Sequence, residues 1–139
     1  MATKRMCPHR ITLFNFLGED QEGNAQFSSV LLMNVHVNRK DGVNATNSAA
    51  DAPHVHIFDD LAESSPEKAF LPFDEWKALS EERDQYWTLN PEGGDYFAVG
   101  DHRTADGRLP DGVAVYKIIN VARRDVGKSR MWHWRIEGR

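Results

Sequence analysis

Residues 10–17 (RITLFNFL) alternate, with Ile11, Leu13 and Asn15 facing one way and Thr12, Phe14 and Phe16 the other. A polar, glycine-bounded stretch at 18–24 separates this run from a longer one at 25–37. The second run puts Leu31, Met33, Val35 and Val37 on one face and Leu32, Asn34, His36 and Asn38 on the other. Period-two alternation of this length predicts half-buried strands, and the short polar connection makes the two an antiparallel hairpin. Residues 40–53 hold scarcely any core formers and predict an exposed loop. A short strand follows at 54–58 (HVHIF), with Val55 and Ile57 inward, and then a polar loop at 59–69.

One helical patch interrupts the β pattern. Asp74 or the residue before it can open a short helix that runs to Leu79, with Trp76 and Leu79 three apart on one face. Ser80, with Glu81 and Glu82 behind it, has the form of a second helix start, a hydroxyl cap followed by carboxylates at the positive end of the dipole. Two short turns fit this better than one long helix. Asn90-Pro91-Glu92-Gly93-Gly94 predicts a turn and residues 96–99 a strand. Residues 101–112 are charged and turn-rich; Asp101, Asp106 and Asp111 lie too far apart for a calcium loop. Residues 113–121 (VAVYKIINV) form the most apolar run and are expected to be a central strand. After a turn at 125–128, residues 131–137 return as the last strand, with Trp132, Trp134 and Ile136 sharing a face.

About six strands and one short helical segment predict a mainly β fold, a compact antiparallel barrel or rolled sheet. Its expected core includes Leu13, Val35, Ile57, Val115, Ile118 and Trp134. The domain plan is a disordered N-terminal tail over residues 1–9 and one β-rich domain over 10–139. A chain of 139 residues has room for one core. Hydrophobic residues at 40% and charged residues at 27% suit a globular domain.

The net charge of -4 argues against general nucleic-acid binding, which needs a basic surface. A basic cluster at Arg123, Arg124, Lys128 and Arg130 reads first as a solvated turn. Cys7 stands alone, so no intrachain disulfide is expected, in keeping with folding in a reducing cytoplasm. No apolar run resembles a signal peptide or membrane span, and Asn44-Ala45-Thr46 is read as a chance glycosylation pattern.

Catalytic motifs are sparse. Gly127-Lys128-Ser129 has the ending of a phosphate loop, but the glycine that the pattern needs upstream is Ala122. Cys7 and His9 form a conceivable thiol–imidazole pair on a terminus expected to fray. The histidines carry more. His54 and His56, two apart on a strand, share a face, and His36 and His133 also lie on strands. Such a pair can ligate a metal, with a third ligand from His36, His133 or Asp59. The competing arrangement, with the imidazoles on a solvated face and Val55 and Ile57 packed inward, is preferred, so neither a cofactor nor catalytic residues are expected.

Three stretches carry a resemblance: residues 11–15 (ITLFN); residues 73–76 (FDEW) through 86–91 (YWTLNP) to 94–100 (GDYFAVG); and residues 133–139 (HWRIEGR). In this order the chain resembles a family of small proteins encoded in the head-to-tail structural module of tailed phages and prophages of gut bacteria. The resemblance implies a virion structural protein, a head–tail connector or minor capsid component made in the bacterial cytoplasm. Its partners would be other phage structural proteins, with a homo-oligomeric ring on assembly, and no membrane. The loops at 40–53 and 101–112 are then the segments expected to order against neighbours. Two other readings stand beside it. One is a small metal-dependent enzyme or ligand-binding β-barrel using His54 and His56; the other is an interaction module of a bacterial mobile element.

Overall fold

The computed structural model describes residues 5–38, 53–125, 127–128 and 131–139. The strands are β1 (His9–Glu19), β2 (Ala25–Asn38), β3 (His54–Phe58), β4 (Glu63–Ser65), β5 (Ala69–Phe70), β6 (Tyr86–Trp87), β7 (Tyr96–Val99), β8 (Tyr116–Arg124) and β9 (His133–Gly138). A helix, α1 (Phe73–Lys77), and a 3-10 turn (Arg83–Gln85) lie between β5 and β6. The fold is mainly antiparallel β. Six strands hydrogen-bond in a closed ring in the order β1-β7-β8-β9-β3-β2, with β2 returning to β1 and β4 added on the free edge of β2. The ring therefore leaves few unpaired strand edges.

Closure depends on β2, which serves β1 along one edge and both β4 and β3 along the other. Its ladder with β1 slips between His9↔Val35 and Arg10↔Met33, so Asn34 is an extra residue with no partner on β1. Asn34 takes a left-handed φ of 60°, which asparagine tolerates better than most residues. Its side-chain amide donates to the Leu61 carbonyl at 3.3 Å, inside the excursion that separates β3 from β4. The bulge turns β2 away from β4 and toward β3, and it also reverses the side-chain phase. Val30 and Leu32 join Val35 and Val37 in one core, where uninterrupted alternation had put Leu31 and Met33 with Val35.

The barrel interior is filled by Ile11, Leu13, Leu32, Val55, Ile57, Phe97, Ile118 and Ile136, with Trp87 and Leu89 packed among them. A ring of this size has room for side chains and little else. Both faces of β1 are buried. Ile11 and Leu13 belong to the main core, while Phe14 packs with Phe27 and Ala98 in a second cluster that Leu109 and Val115 cover. The segment at 101–115 is therefore a lid on the outer wall. It is pinned by Gly107, whose carbonyl accepts from Phe27 N–H at 2.7 Å, and by Thr12, whose hydroxyl accepts from His102 N–H at 2.8 Å. Arg103 adds bonds to Asp101 and to Ser65.

Several expectations need correction. The tail expected over residues 1–9 is structured from Cys7, which is buried, and His9 already pairs with Val35. The strand expected at 113–121 begins at Tyr116, because Val115 belongs to the lid and packs half-buried on the outer cluster instead of in the barrel. On β8 only Ile118 is buried, and Ile119 is 52% exposed. Trp132 precedes β9 and is exposed, and Trp134 is half-buried against the core, so of the three residues expected to share a face only Ile136 is fully inside. Ser80 caps nothing: the 3-10 turn is led by Glu82 at a φ of 68°. The polar loop at 59–69 contains β4, and β5 pairs with β6 in parallel, neither of which the pattern signalled. The loop expected at 40–53 lies outside the described residues except for Pro53.

A buried polar junction ties β1 to the segment before β7. The Asn15 amide donates to the Thr88 carbonyl at 2.9 Å and to Asp95 Oδ2 at 2.8 Å, while its oxygen accepts from Thr88 N–H at 3.1 Å. Asp95 Oδ1 accepts from Phe16 N–H at 2.9 Å. Burial pushes the Asp95 carboxyl up to about 6, against the opposing pull of the N–H groups of Phe16, Asn15 and Asn90. A carboxyl raised in the folded state contributes stability that is complete below its unfolded value and is lost as pH rises through the folded one. Asp95→Asn removes that titration and sacrifices one bond, since its amide must point at a donor. The stability of the wild type relative to Asp95→Asn should therefore fall by on the order of 2 kcal/mol between about pH 4 and pH 6. Urea unfolding across that window measures it, and a flat difference would show that the carboxyl ionises normally.

Gly138 closes the ring against Ile118. A Cβ placed there would stand 2.8 Å from both a Phe97 ring carbon and the Tyr116 Cβ, neither of which is a flexible side-chain end. Gly138→Ala should destabilise the barrel by about 1–3 kcal/mol through overpacking; an unchanged melting temperature would mean that β9 can shift without cost.

Candidate functional site

The outer face of the β2–β3–β9 wall collects the titratable side chains. Register places them: His36 stands opposite His56 across β2 and β3, and β9 sets Glu137, Arg135 and His133 opposite His54, His56 and Phe58. Because Val55 and Ile57 point into the core, His54, His56 and Phe58 must point out. The imidazoles form a row that crosses four strands. Ring centroids lie 5.7 Å apart for His9 and His36, 5.9 Å for His36 and His56, and 5.1 Å for His56 and His133. Phe58, tilted against His133 with ring centroids 4.5 Å apart, ends the row.

Met6, Cys7, His36, His56, Phe58 and His133 line a pocket of about 300 Å³ on this wall. Hydrogen bonding assigns tautomers. His36 Nδ1 lies 3.2 Å from the Met6 carbonyl and His133 Nδ1 lies 3.0 Å from the Met131 carbonyl, so both nitrogens carry the proton and both Nε2 atoms keep a lone pair. His9 is the reverse, since its Nδ1 accepts from Val37 N–H at 3.0 Å. His54 is turned to Arg135, whose guanidinium donates to its Nδ1 at 2.6 Å. Arg135 also pairs with Glu137 at 3.2 Å.

His54 and His56 thus share a face, as the alternation implied, but they do not work as a pair. His56 is the centre of the row with His36 and His133, and His54 belongs to the Arg135–Glu137 group. Asp59 is taken by Arg123, which holds both carboxylate oxygens, one of them at 2.7 Å. Among the described residues, no three His, Cys, Asp or Glu side chains stand together as a metal-holding group. Sequence reasoning missed Cys7 and Met6 as pocket walls, because a terminus ahead of the first strand gives no sign of folding back. Burial raises the Cys7 thiol, so at neutral pH it is an apolar wall more than a nucleophile.

Burial lowers His56 to about 4, helped by the charges of His133, His36, Arg135 and His54. The ring therefore sits neutral in a setting that resists protonation from several sides.

The other recesses are aromatic. Phe70 and Trp134 border two of them, one of about 260 Å³ with Ile57, Lys68 and Trp87, and one of about 290 Å³ with Phe73, Leu89 and Pro91. Arg123 stacks on Trp134 at 5.1 Å while bridging Asp59 and Asp125. The basic cluster is thus partly neutralised at Arg123; Arg130 lies outside the described residues. Gly127 and Lys128 lie between β8 and β9, in a strand-to-strand connection rather than the strand-to-helix turn of a phosphate loop. No helix among the described residues is long and apolar enough to cross a membrane.

A protein-family model described as "Family of unknown function (DUF6751)" matches residues 6–139. No curated protein and no solved structure matches the chain.

A histidine whose folded value is depressed contributes stability that is present above its unfolded value and is lost as pH falls through the folded one. His56 should therefore weaken the fold between about pH 6.5 and pH 4. Relative to His56→Gln, the wild type should lose about 1 kcal/mol over that range, the surface setting screening the full effect. Chemical denaturation at pH 7 and pH 4.5 measures it; a loss of equal size in both proteins would assign it elsewhere.

Proposed function

The chain belongs to the DUF6751 family, and we propose that it is a rigid β-barrel component of a tailed-phage or prophage particle, acting at the head–tail connection or as a minor capsid protein. The reading is carried by one observation. The barrel is filled inside, and large apolar side chains remain on its outside: Met6 is 57% exposed, Ile119 52%, Met131 41% and Trp132 37%. Apolar surface in water costs about 25 cal/mol per Å², which docking against neighbours would recover. A closed ring suits such a part, because it leaves few of the strand edges along which copies would otherwise aggregate.

The resemblance to proteins of the head–tail module supplies the setting. The stretches that carry it are built into the scaffold: residues 11–15 lie on β1, 73–76 on α1, 94–100 span β7, and 133–139 span β9. They bear on the barrel itself, while the docking surface is free to differ.

Particles from an induced prophage that encodes the chain should contain it when purified on a gradient and examined by mass spectrometry. Deleting its gene should leave heads and tails unjoined. Ile119→Ser combined with Met131→Ser should change stability by no more than about 1 kcal/mol and still block incorporation. Particles that lack the chain, or that assemble normally without it, would overturn the proposal.

A further inference from the structure

The start of β1 and the residues ahead of it are held to the barrel by imidazoles. The Met6 carbonyl accepts from His36 at 3.2 Å, and His9 accepts from Val37 N–H at 3.0 Å. Between these two contacts Cys7 is buried, at 1% exposure. His36 and His9 are also the first two members of the four-imidazole row, whose successive centroids are 5.1–5.9 Å apart. We propose that this row is an acid-operated latch: near neutral pH it holds residues 5–9 against β2, and on protonation it releases them while the barrel stays closed.

Two effects act together. A protonated His9 has no lone pair at Nδ1, so it cannot accept from Val37, and that contact must break. His36 keeps its Nδ1–H donor when protonated, so its bond to the Met6 carbonyl does not break by itself; release there comes from the like charges that protonating His36, His56 and His133 places in neighbouring positions on one wall, where each disfavours the next. The groups facing His56 offer little relief. They are His36 from β2, His54 from its own strand, His133 and Arg135 from β9, and the Cys7 thiol from the N-terminal segment. Glu137 is the carboxylate on this face of β9, and Arg135 already holds it. Burial and these neighbours keep His56 neutral to about pH 4, so the last proton enters late and against the others. Moving residues 5–9 outward opens the pocket to water and lets the charged rings separate. Behind the wall Val55, Ile57 and Ile136 remain packed, with no titratable group among them.

Cys7 reports the latch. The full chain is treated with 4,4'-dithiodipyridine, which reacts with thiols in acid, between pH 7.5 and 4.5, while near-ultraviolet circular dichroism follows the core. On acidification, Cys7 should react at least about tenfold faster relative to an unstructured cysteine peptide, before the aromatic signal changes. His36→Gln combined with His133→Gln should abolish most of that acceleration, and His54→Gln should leave it in place. As an independent measure, the His56 ring followed by NMR should titrate at a higher pH in His133→Gln, which removes the nearest imidazole of the row. The proposal fails if Cys7 stays protected, if its exposure only parallels loss of the aromatic signal, if the double variant accelerates like the wild type, or if the His56 midpoint does not move.

Discussion

At Asn34 the β2 backbone enters the left-handed region and holds one residue that β1 does not pair. Ring closure rests on this bulge. Up to Met33, β2 lies between β1 and β4; from His36 it pairs with β3, which in turn carries β9. A strand that continued straight would stay beside β4, and β3 could not reach β9 while still touching β2. The excursion at 59–62 is the matching irregularity on the opposite strand, and the Asn34 amide fastens the two together through the Leu61 carbonyl. The φ of 60° costs little at an asparagine, whose side chain also repays the lost ladder bond. The histidine wall depends on the same turn, since it brings His36 opposite His56.

The same bulge explains what the sequence could and could not reveal. Where a strand is regular, alternation reads true: Ile11 and Leu13 against Thr12 and Phe14, and Val55 and Ile57 against His54 and His56. Across β2 the parity changes at Asn34, and nothing in the residues themselves marks the position, so Leu32 and Leu31 exchange roles. The strands β4, β5 and β6 are two or three residues long, too short for any period. Val113 and Val115 look like core strand because they are apolar, yet Val115 serves a second, outer core that exists only once 101–115 folds over β1. Likewise, His54 and His56 were legible as a pair, while the row with His36 and His133 required knowing that β2, β3 and β9 are neighbours. Strand order is a property of the closed ring and not of any local stretch.

Two ionisable groups press on the fold from different places, Asp95 beside β1 and β7 and His56 on the β2–β3–β9 wall. Asp95 lies inside, where burial favours its neutral, acidic form, and His56 lies outside, where burial and like charges favour its neutral, basic form. Lowering the pH from 6 to 4 therefore relieves one and strains the other. Stability measured on the whole protein would show only their difference, and a nearly level profile over this range would conceal two sizeable opposing slopes. The position of each follows from its neighbours: the Asp95 carboxylate is held by N–H donors that partly offset burial, while the charges acting on His56 are those of other imidazoles and a guanidinium.

A small closed barrel also limits where work can be done. Side chains fill its interior, so recognition must occur on the outside, and the outside is not uniform. The β1–β7 side is covered by the segment 101–115, which turns Phe14 and Phe27 into core. The β2–β3–β9 side is left with the histidine row, the Met6 side chain and the pocket between them. Beyond it, Met131 and Trp132 stand exposed just ahead of β9. Barrel closure thus separates the two duties of the surface: one side is sealed by the chain itself, and the other keeps apolar and titratable groups within reach of water, where pH or a neighbouring molecule can act on them.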